Sequence, residues 1–162
     1  VNQLVKNNFN NTYQPTLGID YNQFELPIKD TNYTVQFHIL DFSGFSPFRE
    51  MINNSIKDVN FILYVYDSTN LESFQNIKLW KLSVSEMNTK PNVIEYLIGN
   101  KNELPEKIVT DKVSVDNLAK KNNFKSWSVS ARSRNNLNEL FQEMANTYYD
   151  SYFKFTNKIK NL

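Results

Sequence analysis

Two short apolar runs, Asn60 to Tyr66 and Val93 to Ile98, constrain this chain more than any other feature of its sequence. Each is nearly continuous, which is the pattern of a strand covered on both faces in a parallel sheet flanked by helices. Strands of that kind need crossovers, and the sequence supplies them. Asp67-Ser68-Thr69-Asn70 offers capping groups for a helix from Leu71 to Met87, with Phe74, Ile77 and Leu82 toward the core. Gly99 closes the second run. Beyond it, Val115 to Lys121 reads as a helix and Ser126 to Val129 as a short strand, while Leu137, Leu140, Phe141 and Met144 mark one face of a final helix. Earlier in the chain, Ile19 to Ile28 and Tyr33 to Leu40 are strand-like. The intervening Lys29-Asp30-Thr31-Asn32 suits a turn, which predicts an antiparallel hairpin. Arg49 to Ile56 suits a short helix, and Val1, Leu4 and Val5 share a helical face, so the chain is expected to open inside an element. Together these elements predict an α/β sheet with helices on both faces.

Size and composition narrow what such a fold can do. A chain of 162 residues with 40% hydrophobic content can bury one sizeable core, expected over residues 1–152, with 153–162 as a polar tail. There is no cysteine, which excludes a disulfide framework and a thiol nucleophile and fits a reducing compartment. The net charge is +1 and the 18 basic residues are scattered, so no stripe tracks a phosphodiester backbone and nucleic acid is not an expected partner. No uncharged apolar run approaches the roughly 18 to 20 residues that cross a bilayer. The single histidine, His38, falls in a strand pattern and gives no metal signal.

In open α/β sheets, ligands bind where loops leave the carboxyl ends of strands. After the second hairpin strand comes Asp41-Phe42-Ser43-Gly44. A carboxylate there can hold magnesium through water, and a glycine three residues on lets a backbone N–H approach a terminal phosphate. Taken alone, the same residues also suit an ordinary turn. The loop after the second buried run is Gly99-Asn100-Lys101-Asn102-Glu103-Leu104, and the loop after the last short strand is Ser130-Ala131-Arg132. A carboxylate, a lysine stem, a bracing asparagine and a small residue with a free backbone N–H are together able to select a guanine base, although each loop by itself could be merely polar.

Order and spacing decide the matter. Pro15-Thr16-Leu17-Gly18, Asp41 to Gly44, Asn100-Lys101 and Ser130-Ala131 follow one another as the small GTPase motifs do, and Tyr64-Val65-Tyr66-Asp67-Ser68-Thr69-Asn70-Leu71-Glu72-Ser73-Phe74 closely resembles the strand-and-helix signature of the Rab branch. From Val1 to Tyr149 the chain resembles a Rab-like small GTPase of the Ras superfamily. The resemblance implies a P-loop NTPase fold, a mostly parallel sheet with one antiparallel hairpin strand. It also implies GTP or GDP with Mg2+ as cofactors, and protein partners that read loops ordered by the third phosphate. Residue by residue, it makes Thr16 a magnesium ligand and phosphate sensor, Asp41 a metal-site carboxylate, and Gly44 the hinge that meets the phosphate. Phe9 would lie against the guanine edge and Tyr13 over the phosphates. Asn100, Lys101, Glu103, Ser130, Ala131 and Arg132 would form the base pocket.

Four features depart from that pattern. The phosphate loop and the strand feeding it are expected before Val1, so nucleotide binding depends on such a loop existing upstream. Phe45 stands where the family usually has the glutamine that orients the attacking water, so no catalytic residue is assigned and hydrolysis is expected to be slow. Glu103 replaces the usual aspartate, moving the carboxylate by about 1.5 Å. Finally, with no cysteine there is no prenyl anchor, and membrane association is expected to be indirect. Within the Rab-like group, Val35-Gln36-Phe37-His38-Ile39-Leu40-Asp41-Phe42-Ser43-Gly44 and Phe48-Arg49-Glu50-Met51 resemble the Rab-like subunit of the intraflagellar transport B complex. That likeness implies a β-sandwich partner protein and a cytoplasmic protein that enters the cilium. The competing expectation is a nucleotide-independent adaptor that keeps the fold alone.

Overall fold

Period-two patterning in the buried strands builds two cores, one on each face of a parallel sheet. The computed structural model of the chain describes residues 1–10, 12, 14–44, 55–87 and 91–160, with 154–160 by backbone alone. In chain order the elements are α1 (Asn2–Lys6), β1 (Ile19–Pro27), β2 (Thr34–Phe42), β3 (Phe61–Asp67), α2 (Leu71–Ser85), β4 (Ile94–Asn100), a 3-10 turn (Pro105–Lys107), α3 (Lys112–Asn122), β5 (Lys125–Ser128) and α4 (Leu137–Lys160). β3, β4 and β5 pair in parallel in that order, and β1 pairs with β2 as the expected antiparallel hairpin. Among the described residues no ladder joins the hairpin to the parallel strands.

Alternate residues of β3 and β4 turn to opposite sides, as strand geometry requires. Phe61, Leu63, Ile94, Tyr96 and Ile98 face a core that also holds Ile28 and Phe37 of the hairpin and Leu140, Phe141, Met144 and Ala145 of α4. Tyr64, Tyr66 and Leu97 face the other core, built with Phe74 and Ile77 of α2 and Leu118 and Ala119 of α3. Helices therefore cover both faces. The hairpin is joined to the rest through side chains: the Phe24 and Phe37 rings stack at 4.9 Å, and both meet the Phe141 ring edge-on, at 5.5 and 5.6 Å. Each such aromatic pair adds about 0.5–1.5 kcal/mol beyond the area it buries.

Helix starts follow the capping residues. Asn70 accepts the Ser73 amide at the start of α2, and Asp111 accepts the Ser114 amide at the start of α3. Three expectations change. Leu82 is 57% exposed, because the inward face of α2 runs from Phe74 and Ile77 to Val84, which helical spacing places away from Leu82. Gly99 does not close β4, which continues to Asn100. The third concerns residues 153–160, which continue α4 as helix, so the boundary placed at Phe153 is not a break in secondary structure. The short helix expected over Arg49 to Ile56 lies largely outside the described residues.

Gly99 keeps its place opposite Tyr66 for a steric reason. A Cβ there would sit 2.6 Å from the Tyr66 hydroxyl oxygen and 2.9 Å from Ser68 Oγ. Gly99→Ala is therefore expected to lower unfolding stability by about 1–3 kcal/mol in urea titration. Tyr66→Phe in the same background, which removes the nearest clashing atom, should recover part of the loss. A neutral Gly99→Ala would show that this packing is loose.

A second check concerns Glu143 of α4. It accepts from the Tyr96 hydroxyl at 2.6 Å and from Thr147 Oγ1 at 3.2 Å, and pairs with Lys125 of β5. Burial alone would raise this carboxyl, but the bonds from Lys125 and Tyr96 outweigh it and hold it below its ordinary value of 4.5. The stabilisation is thus present above pH 4.5 and lost as pH falls through the depressed value. In thermal melts the advantage over Glu143→Gln should stay level at neutral pH and shrink only below pH 4.5. A gap that does not change with pH would remove the ion pair from the account.

Candidate functional site

Parallel pairing sets Asp67 beside Asn100 and Gly99 beside Ser128, so the loops leaving β3, β4 and β5 emerge at one end of the sheet. Backbone bonds lock them together there. Ser68 donates to Asn100 O at 3.0 Å, Val129 to Gly99 O at 2.8 Å, and Asn102 to Val129 O at 3.1 Å. The Asn100 side chain extends this mesh by accepting the Ala131 amide at 2.9 Å.

Between these loops lies a cleft of roughly 210 Å3, lined by Phe9, Asn100, Lys101, Glu103, Leu104, Ala131 and Arg132. Phe9 and five of the expected base-pocket residues line it, and Leu104 is the addition. Ser130, expected among them, is fully buried beneath the cleft. It shapes the loop instead: its amide donates to Asn135 O at 3.0 Å, and its hydroxyl accepts the Ser133 amide at 2.9 Å. These bonds present Ala131 and Arg132 at the surface.

One atom tests what the cleft suits. Glu103 Oε2 is buried and has no hydrogen-bond partner. An acceptor in that state costs about 1–3 kcal/mol or more unless a donor reaches it. Phe9 and Lys101 line the cleft together with Glu103.

Lys101 is held from a direction that sequence did not reveal. Its ammonium pairs with Asp67 Oδ2 at 2.6 Å, while Asp67 Oδ1 takes the Thr69 amide at 2.9 Å and the Thr69 hydroxyl at 2.7 Å. Burial pushes the Asp67 carboxyl up, but the bonds from Lys101 and Thr69 prevail and keep it below the usual range. The Asp67-Ser68-Thr69 turn had been read for its capping value alone. Its acid two residues before Thr69, level with Asn100 in an adjacent strand, was the available signal.

Asp41 and Gly44 lie elsewhere, at the open end of the hairpin, and Thr16 precedes it in the chain that enters β1. Ile19 pairs with Phe42 and Asp20 with Asp41, and Ser43 donates to Gly18 O at 2.9 Å, so the chain entering β1 meets the chain leaving β2. Thr16 is half-buried, and a Cβ at Gly44 would meet nothing within 4 Å. Burial raises the Asp41 carboxyl above its usual value, and Asp20 adds to this. Among the described residues no three His, Cys, Asp or Glu side chains converge as a metal cage. Thr16 and Asp41 would thus hold magnesium only together with phosphate and water oxygens, which is how that ion is usually bound. Tyr13 and Phe45 lie outside the described residues. His38, read as structural, sits on the solvent face of the hairpin and shares a hydrogen bond with the Tyr21 hydroxyl.

Comparison with known proteins places this geometry in context. The family model described as the Ras family matches residues 1–150. Ras-related protein Rab-13 of Bos taurus is 32% identical over 143 residues, covering 88% of this chain and 69% of that protein. The protein of the same name from Mesocricetus auratus matches with the same identity and coverage.

Because Asn100 Oδ1 is the acceptor for the Ala131 amide, Asn100→Ala should leave that amide unbonded. Hydrogen exchange at Ala131 is expected to quicken at least roughly tenfold, equivalent to about 1.4 kcal/mol, while amides in the middle of β4 stay protected. Unchanged exchange at Ala131 would mean that the loops are held by backbone bonds alone.

Proposed function

This chain belongs to the Ras family and is a Rab-like member of it, and from that premise we propose that it is a guanine-nucleotide-binding switch in intracellular transport. The observation that carries the reading is a cleft lined by Phe9, Lys101 and Glu103, with Asn100 bracing the Ala131 loop beside them. In this reading Glu103 offers a carboxylate to the donors of the guanine edge, the Ala131 amide is held by Asn100 rather than free for the base, and Arg132 and Leu104 close the rim.

Thr16 and Asp41 are the residues that would hold Mg2+, and Gly44 the one whose backbone approaches the terminal phosphate. The ion would neutralise phosphate charge. Nucleotide affinity in this scheme depends on a glycine-rich phosphate loop upstream of Val1. Phe45 cannot orient water as an amide does, so intrinsic hydrolysis is slow. Partner proteins read the segments around Thr16 and Asp41 to Phe48, and a β-sandwich protein of a ciliary cargo complex is the partner class that the intraflagellar transport resemblance favours.

A second reading, a nucleotide-independent adaptor, draws on Phe45 and on the extra methylene of Glu103. The two part company in a titration of the full-length protein with a fluorescent guanine nucleotide. The switch predicts saturable binding, weakened at least roughly tenfold, about 1.4 kcal/mol, by Glu103→Ala. No saturation by a protein that is folded by circular dichroism would leave the adaptor. Hydrolysis adds a further check: Phe45→Gln should raise the rate, and an unchanged rate would show that Phe45 is not the limiting defect.

A further inference from the structure

Seven non-glycine residues among those described take a positive φ, and five of them are Asn or Asp, which tolerate that region. The other two are Lys101, with φ 69°, and Arg134, with φ 66°. Both belong to the loops around the cleft, where a disfavoured backbone is held in place by its surroundings. Lys101 faces the cleft. Arg134 does not line it, and its side chain spans the chain instead. Nη1 donates to the backbone oxygen of Gln3 at 3.2 Å and to Asn7 Oδ1, and Nη2 donates to Asn138 Oδ1 at 2.9 Å.

Those contacts tie two distant segments. Arg134 lies in the loop whose other members are Ser130, Ala131 and Arg132, and its backbone oxygen accepts from Leu137 at the start of α4. Gln3 and Asn7 belong to α1 and its C-terminal cap. A five-residue helix has almost no stability of its own and stays formed only where tertiary contacts hold it. Leu4 packs on the core from one side, and Arg134 binds the end nearest the cleft. Two residues past Asn7 comes Phe9, 42% exposed, whose ring forms one wall of the cleft. The lining also includes Ala131 and Arg132, three and two residues before Arg134.

We propose that Arg134 is a positioning residue, a clasp that fixes the Asn7-to-Phe9 wall against the Ser130-to-Arg132 loop and so sets how long a purine nucleotide stays in the cleft. This rests on the purine-site reading above, but the clasp also has a readout that needs no ligand. A guanidinium with three acceptors on two segments is worth more than a lysine in this place, because it holds both at fixed spacing.

The test uses full-length protein and three substitutions: Arg134→Met, which keeps the stem and removes the donors, Asn7→Ala, and Asn138→Ala. Without ligand, Arg134→Met should speed hydrogen exchange of amides in residues 2–9 at least roughly fivefold, and Asn138→Ala should not, since it spares both α1 contacts. With a fluorescent guanine diphosphate, Arg134→Met and Asn7→Ala should each raise the dissociation rate several-fold with little change in association rate. The two together should do no more than Arg134→Met alone, and Arg134→Lys should restore part of the effect. Non-additivity of this kind separates a shared contact from general loosening. Unchanged exchange in residues 2–9 overturns the clasp. Faster exchange with an unaltered dissociation rate overturns its role in retention. If the unsubstituted protein binds no guanine nucleotide, the purine reading fails and the retention role falls with it, whatever the exchange shows.

Discussion

Parallel pairing of β3, β4 and β5 brings three loops to one end of the sheet, and the wall of the cleft that those loops form follows from that register. Because Asp67 lies level with Asn100, and Gly99 with Ser128, the loop backbones are near enough to exchange hydrogen bonds. Side chains then need only short reaches: Asp67 to Lys101, and Asn100 to the Ala131 amide. A one-residue slip of β4 would turn Tyr96 and Ile98 out of their core and carry Asn100 away from Ala131 in the same movement. The packing of the strands and the assembly of the site are thus one constraint.

The close fit of that sheet explains its glycine. Tyr66 and Ser68 leave no room for a Cβ at position 99, and the Tyr66 hydroxyl, whose proton is held more firmly because of burial, bonds with Thr110 and Ser68. The strand end is therefore rigid where Asn100 and Lys101 begin. Rigidity on this side contrasts with the Phe9 side, where a short helix depends on Leu4 and Arg134 for its place. The cleft has one wall built into the sheet and one wall attached to it.

Asparagine is abundant in this sequence, and its effect is local. Asn7, Asn92, Asn123 and Asn136 all occupy the left-handed region, where a short polar side chain lowers the usual steric penalty. What looks like compositional bias supplies helix ends and tight turns that would otherwise call for glycine, of which the chain has three.

The α/β order of elements, the hairpin, and the paired cores of β3 and β4 were legible in the sequence because hydrophobic period and capping are local properties. So was the pair of loops that carries Asn100, Lys101, Glu103, Ala131 and Arg132, since motif order along the chain reports which strand each loop leaves. Leu82 was misread because an apolar residue alone does not show which helix face meets the core. Ser130 was read as lining the site because sequence cannot tell a residue that faces a cleft from one that folds the loop beneath it. Asp67 and Arg134 escaped altogether: their partners lie 34 residues away for Asp67 and 131 and 127 residues away for Arg134, and no local pattern encodes contacts at such separations. By itself the sequence determined which polar and apolar residues its loops carry. Tertiary structure alone decided which of them meet, because only folding converts distance along the chain into distances of a few ångströms.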